Sequence, residues 1–408
     1  MPNHITASPL CRRSVLQRFL VAGLGLGLAA CGGGSDEPGQ DPAAALLETE
    51  ADAAVASGLV GLVLGQVKGP ASSVAVAGRR RLGRDAPVEP QDRFAIGSNT
   101  KAMTSAAIVA LAERGGPALS LTLAQAFAAW AGDLHPAYAQ VTLADLLHHR
   151  GGVPAFDGSG PDEAAFIAAV QADSGPMPDS LQGRRAYFAR WLLARPPALG
   201  VVPGRDFLYS NAGYVLAAAV VEARTGRAFE AAFDDVLVQP LALQGAWRSP
   251  VPGPADLLWG HEGAAGDLAV VEATAADLAT KDWLDIIGPA GGWACTGAAY
   301  AQWLRWHLRA LQGERTPLPQ AYVSDLRAAS DGRYVWGWQA LATPKRVLLT
   351  HTGHEPGFMA EAALDRGGAF AVFGISNTGH VAADGSSWVL ARIDQALAEV
   401  LKRQSIAL

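Results

Sequence analysis

Apolar and polar positions divide the chain into three blocks. Residues 59–68 and 71–77 alternate or run apolar around Gly69-Pro70, the pattern of an antiparallel hairpin. Phe94 to Gly97 then leads into an apolar helical run to Leu111, which Arg114-Gly115-Gly116-Pro117 stops. From Leu119 to about Leu326 the spacing is mostly helical, over 121–131, 143–148, 164–172, 185–194, 214–224 and 298–311. Strand patterns return at 336–341, 346–350, 358–364 and 369–376, and a helix over 387–401 closes the chain. Strands at both ends with helices between predict an α/β (α+β) fold. One antiparallel sheet flanked by helices is built from both chain ends, and a mostly helical lobe is inserted. The expected domain covers 51–408, with an α/β lobe at 55–118 and 330–408 and a helical lobe at 119–329.

The first 50 residues read differently. Arg12-Arg13 precedes an apolar stretch at 19–30, too short for a membrane span, which takes about 20 residues. The start resembles a twin-arginine signal. Leu28-Ala29-Ala30-Cys31 is similar to a bacterial lipoprotein cleavage box, in which the cysteine becomes lipidated. The expectation is a signal peptide at 1–30, lipid attachment at Cys31 and a flexible Gly-rich tether at 31–50. The protein would then be a periplasmic, membrane-anchored lipoprotein. An ordinary secretory signal with a chance cysteine is the plainer alternative.

Composition narrows the partners. With 408 residues, half of them hydrophobic, the chain can bury a large core. Net charge is −6, and no basic cluster exceeds Arg79-Arg80-Arg81 with Arg84, which is expected to decorate a hairpin turn. That balance excludes a nucleic-acid partner from the expectation. Cys11 leaves with the signal and Cys31 would carry lipid, so Cys295 is the one free thiol, read as a small buried residue. The tryptophans read as core, with Trp293 a candidate to line a cleft.

Five of the 32 basic residues are lysines, and Lys101 follows Ser98 by three positions at a helix start. Residues i and i+3 share a helix face, so hydroxyl and amine can meet. A desolvated lysine can act as a base where arginine cannot. An activated serine nucleophile follows from this pairing. The plainer reading is a serine-capped helix with an exposed lysine. Two more motifs stand downstream: Tyr209-Ser210-Asn211 before another helical run, and His351-Thr352-Gly353 directly after the strand pattern at 346–350.

In this order, the motifs resemble those of the serine beta-lactamase and penicillin-binding-protein superfamily, nearest its class C-like branch of esterases and D-amino-acid peptidases. The stretch from Val141 to Gly152, the Pro240-Leu241-Ala242-Leu243 turn and the Gly291-Gly292 pair are similar to further motifs of that family. The resemblance implies a two-lobed fold with the site between lobes and no cofactor or metal. Ser98 would attack a carbonyl to form an acyl-enzyme, with Lys101 and Tyr209 as a coupled pair of proton carriers. Asn211 would hold Lys101 and the substrate amide, and the backbone N–H groups of Ser98 and His354 would form the oxyanion hole. His351, Thr352 and Gly353 would complete the substrate edge.

His351 departs from the family pattern. Lactam-hydrolysing and carboxypeptidase members usually carry lysine there, a cation for the substrate carboxylate, whereas histidine is largely neutral at pH 7. The implied activity is therefore hydrolysis of esters, amides or D-amino-acid peptides. A beta-lactamase or DD-carboxypeptidase, or a silent sensor of muropeptide or lactam, is the alternative. His351 and His354 point to opposite faces of a strand, and no spacing completes a metal site. His148 and His149 read as helix-end cations or loop residues.

Overall fold

A computed structural model of the chain describes residues 41–158, 160–173, 177–247, 258–272 and 283–408. The expected signal peptide and Cys31 lie outside the described residues. The first element is a helix, Pro42–Ala56, which begins inside the 31–50 stretch read as tether. The cause is local. Asp41 accepts the Ala43 N–H at 3.0 Å, and Pro42 occupies the first turn, where its missing N–H is not needed. Leu47, Ala51 and Ala54 of this helix are buried, so the folded domain includes residues ahead of position 51.

Thirteen strands lie among the described residues: β1 (Gly61–Lys68), β2 (Ala71–Gly78), β3 (Phe94–Ala95), β4 (Gly245–Trp247), β5 (His261–Ala264), β6 (Asp267–Val270), β7 (Trp293–Cys295), β8 (Tyr334–Val335), β9 (Trp338–Ala342), β10 (Val347–Glu355), β11 (Phe358–Asp365), β12 (Phe370–Ser376) and β13 (Thr378–Gly379). The main sheet has seven of them in the order β2-β1-β12-β11-β10-β9-β8, every neighbour antiparallel. The two chain ends meet inside it, one strand in from the β2 edge, where Leu62 of β1 faces Ser376 of β12.

Alternation along the strands sorts side chains to the two faces. Val63, Val67, Leu349, Ala360, Ala362 and Phe373 join the larger core, with helices Thr100–Glu113 and Gly297–Leu311. Leu62, Leu64, Leu348, Met359, Ala363 and Val372 pack instead against helices Pro42–Ala56 and Trp388–Arg403. Each fully buried Leu or Val here contributes about 1.5–3 kcal/mol.

The insertion is less uniformly helical than the spacing suggests. Two three-stranded sheets reach into it, β3-β7-β4 and β13-β5-β6. Strands of three or four residues are too short for a period to be read. Each sheet also borrows a strand from outside the insertion, β3 or β13, which no local pattern reveals. The expected 121–131 helix is also shorter, ending at Ala126 with a 3-10 segment, Ala128–Asp133, after it.

Candidate active site

The approach to Ser98 is fixed by pairing across the lobes. Phe94 of β3 faces Cys295 of β7, and the Ile96 N–H donates to the Trp293 carbonyl at 3.1 Å. A 3-10 turn, Gly97–Asn99, then feeds the Thr100–Glu113 helix. Ser98 is therefore not the cap of that helix; Asn99 holds the cap position, without a side-chain capping bond. Gly97 sits at φ +51°, and a Cβ on it would lie 2.7 Å from the His354 nitrogen. A Cβ on Gly353 would lie 2.0 Å from the Ile96 carbonyl oxygen and 3.1 Å from the Ser98 nitrogen. The two glycines let the Ser98 turn and β10 touch backbone to backbone. That contact sets the Ser98 turn directly against the Gly353-His354 backbone.

Lys101 is wholly enclosed. Its Nζ lies 2.9 Å from Ser98 Oγ, 2.6 Å from Asn211 Oδ1 and 2.7 Å from the Ala290 carbonyl oxygen. The amide oxygen and the carbonyl can only accept. With its N–H bonds directed to these two acceptors and to Ser98 Oγ, the amine is tied into the site on three sides. The exposed lysine of the plainer reading is thus replaced by a buried one aimed at Ser98. The Tyr209 hydroxyl donates to Ser98 Oγ at 2.9 Å, and Lys101 Nζ sits 4.9 Å from the Tyr209 ring centre. Serine, lysine and tyrosine form one hydrogen-bonded cluster.

The elements behind the cluster are ordinary ones. Ser210 caps the Asn211–Thr225 helix, accepting from the Gly213 N–H at 3.1 Å and donating to the Pro154 carbonyl at 2.6 Å. That cap ends the extended backbone carrying Tyr209 and puts Asn211 in the first helical turn, where its Nδ2 donates to the Phe156 carbonyl at 2.7 Å. The Gly291-Gly292 segment is clamped by the Ser98 helix. Thr104 Oγ1 donates to the Pro289 carbonyl at 2.7 Å, and Thr100 Oγ1 accepts from the Trp293 N–H at 3.2 Å.

His351 is buried and held neutral, its pKa lowered to about 3 by burial first and by the Lys101 charge second. Its Nδ1 donates to the Thr352 carbonyl at 2.6 Å, leaving Nε2 to accept from the Tyr334 hydroxyl at 3.3 Å. Both ring nitrogens are thus occupied within the protein. His351 presents no cation, and its Nε2 is turned to the Tyr334 hydroxyl. Thr352 and His354 alternate to the other face of β10. His354 Nε2 stands 3.5 Å from Glu262 Oε2.

Two side chains beside the cluster escape sequence reasoning. Tyr334 belongs to a two-residue strand whose turn to β9 places Trp336 and Gly337 both at positive φ. His149, read as an exposed cation or loop residue, is buried with its ring centre 4.3 Å from that of Tyr209. His148 is also buried, 4.1 Å from the Trp336 ring, and burial lowers its pKa. Both do lie in the turn that ends the Leu143–Leu147 helix, His148 at its C-cap, but burial keeps them from serving as cations there. Their one local signal was the left-handed turn at His149, φ +57°, which no residue type there announces. Trp293 is core rather than cleft, packed with Phe233 and Trp247. Cys295 is buried, its thiol pKa pushed up to about 12 by that burial.

Comparison with known proteins identifies the family and the fold. The beta-lactamase family model matches residues 44–396. D-amino acid amidase from Ochrobactrum anthropi SV3 superposes with a TM-score of 0.66 at 22% identity, covering 90% of this chain and 100% of that one. For the beta-lactamase/D-alanine carboxypeptidase of Pseudomonas syringae the values are 0.64 and 14%, over 89% and 99%. A D-stereospecific amidohydrolase from Streptomyces sp. gives 0.60 and 20%, over 86% and 98%. No curated protein sequence matches significantly. With a family match over most of its length and Ser98, Lys101 and Tyr209 in mutual hydrogen-bond reach, the chain belongs to the beta-lactamase family of serine hydrolases.

Proposed function

We propose that this enzyme hydrolyses esters and amides, including those of D-amino acids, through an acyl-enzyme on Ser98, and that carboxylate-bearing lactams are poor substrates. The carrying observation is the neutral, enclosed His351 where a lysine would supply a cation. A charge-assisted hydrogen bond to a substrate carboxylate is worth roughly 1.5–3 kcal/mol, about tenfold to a hundredfold in affinity. A neutral imidazole already bonded on both sides forfeits it.

In the proposed cycle Lys101 and Tyr209 take the Ser98 proton as a coupled pair while Oγ attacks the carbonyl carbon. The Ser98 and His354 N–H groups stabilise the oxyanion. Tyr209 then protonates the leaving group, and water releases the acyl chain by the reverse transfers. A panel of a short-chain nitrophenyl ester, D-phenylalanine amide and a chromogenic cephalosporin tests the reading. Turnover of the first two and weak cleavage of the third is expected, with His351→Lys raising the lactam-to-ester ratio. Cephalosporin cleavage by the wild type above about 10⁵ per molar per second, well within an evolved enzyme's range, would identify a beta-lactamase instead. A protein that a serine-directed phosphonate labels but that turns over none of the panel would be the sensor.

The Cys31 box supports a second part of the reading, an exported protein anchored in the periplasm by lipid at Cys31. One acyl chain binds a membrane only weakly, so stable anchoring needs the several chains such a cysteine receives. Cys31→Ser should move the protein to the soluble fraction, and unchanged membrane association would refute the anchor.

A further inference from the structure

Tyr209 is gripped from three directions by one residue. The His149 carbonyl accepts the Leu208 N–H at 2.8 Å, and His149 Nδ1 accepts the Ser210 N–H at 3.1 Å. The backbone on each side of Tyr209 is therefore pinned to the same histidine. The His149 ring also lies against the Tyr209 ring, with centroids 4.3 Å apart and planes 40° to each other. Tyr334 and Tyr214 close the box at 4.6 and 5.3 Å. The grip requires the left-handed backbone at His149, which turns carbonyl and ring toward the same strand.

The tautomer follows from the geometry. Nδ1 accepts an amide N–H, so the neutral ring carries its proton on Nε2. That N–H is buried without a hydrogen-bond partner. A second proton would set Nδ1–H against the Ser210 N–H and add a charge near Lys101, His351 and His148. Burial first, and these neighbours next, hold its proton affinity well below the usual histidine range.

We infer that His149 is a positioning residue for Tyr209, holding the phenol at hydrogen-bond distance from Ser98 by clamping the backbone on both sides and bracing the ring. The inference rests on the reading of Tyr209 as a proton carrier in acyl transfer. Slackening a reacting group by the order of 1 Å costs up to about a hundredfold in rate. A histidine that only fills the core would lower stability but would not act through Tyr209.

Two variants separate the parts of the grip. His149→Phe keeps a ring and loses the Nδ1 acceptor; His149→Asn keeps an acceptor near the Nδ1 position, tolerates positive φ and loses the ring. His149→Phe should lower kcat on the nitrophenyl ester about tenfold to a hundredfold with KM within about twofold, and should shift the pH profile of kcat. His149→Asn should recover part of the loss. In a Tyr209→Phe background, His149→Phe should cost almost nothing further, because the part it positions is gone. The ¹³Cζ-tyrosine resonance of Tyr209, assigned by its loss in Tyr209→Phe, should move in both histidine variants. That signal is read without turnover, so absent activity would overturn the functional reading alone. Equal losses in both backgrounds, or an unmoved Tyr209 resonance in the folded variants, overturns the inference. Should the phenylalanine variant not fold, the asparagine variant is read the same way.

Discussion

On the face of the main sheet that carries the Thr100–Glu113 helix, Lys101 is completely enclosed, and its amine meets three oxygens within 2.9 Å. On the opposite face, Glu361 of β11 is as deeply buried, and its carboxyl group is hydrogen-bonded to that of Asp394 on the Trp388–Arg403 helix. Burial first and the Asp394 charge second push the Glu361 proton affinity far up. Depth alone therefore does not decide what a polar group does here. The inner cluster ties an amine and a phenol to a serine hydroxyl, whereas the outer pair puts one acid against another and keeps a proton between them.

The largest effect that would test this contrast is on the inner face. Ser98→Ala removes the oxygen shared by Lys101 and Tyr209, and turnover should fall by about 10³-fold or more while the fold persists. An alanine variant retaining more than about a tenth of wild-type hydrolysis would remove Ser98 from its role. Next come the proton carriers. Lys101→Arg and Tyr209→Phe should each cost about 10²–10⁴-fold, and the double variant little more than either alone. Losses that add as activation free energies would show two independent groups and dissolve the cluster.

Acid is the third way to sharpen the comparison. His148, His149, His261, His307 and His351 are all held below the ordinary histidine pKa, chiefly by burial, with His307 at about 4 and His351 at about 3. The unfolded chain takes up these protons as pH falls below about 6.5, while the folded chain does not until lower. The stability that neutral burial contributes is complete above that pH and is lost as pH falls toward 4. Each histidine adds at most about 1.4 kcal/mol per pH unit to the slope. Denaturant unfolding at pH 7.5 and 5 should show a clear drop, and a flat profile would mean that these rings gain protons in the native state.

Glu361 works in the opposite sense. Its folded pKa is raised, so the folded chain holds a proton that the unfolded chain releases above about 4.5, and its contribution declines as pH rises. Glu361→Gln mimics the protonated acid at every pH. It should raise the melting temperature by a few degrees at pH 8 and by less at pH 5, measured by calorimetry. An equal fall at both values would mean the carboxylate is satisfied by something other than its own proton.

The sequence made the inner site largely visible and the outer pair invisible, for one physical reason. Ser98 and Lys101 are neighbours by helix geometry alone, and Tyr209-Ser210-Asn211 sits beside a helix start that its own serine caps. The long strands of the main sheet were legible by alternation, within two residues at most starts. His149, Tyr334 and the Glu361–Asp394 pair depend on contacts between segments far apart in the chain. A lone acid in the buried run of β11 shows that something is unusual there, but its partner lies on another element. The same holds for the Pro42–Ala56 helix, whose alanines read as tether until the sheet they cover is known.

The ladder between β1 and β12 has a kinetic consequence. Its partners, such as Leu62 and Ser376, are separated by most of the chain, and closing so long a loop precedes any reward from the contacts it makes. A nascent chain holds β1 and β2 as a hairpin covered on one face by the Pro42–Ala56 helix, with the inner edge of β1 unpaired until β12 has been synthesised. The sheet therefore completes late, and a chain truncated before Phe370 would lose β12, the strand that joins the β2-β1 hairpin to the other four, rather than an edge strand.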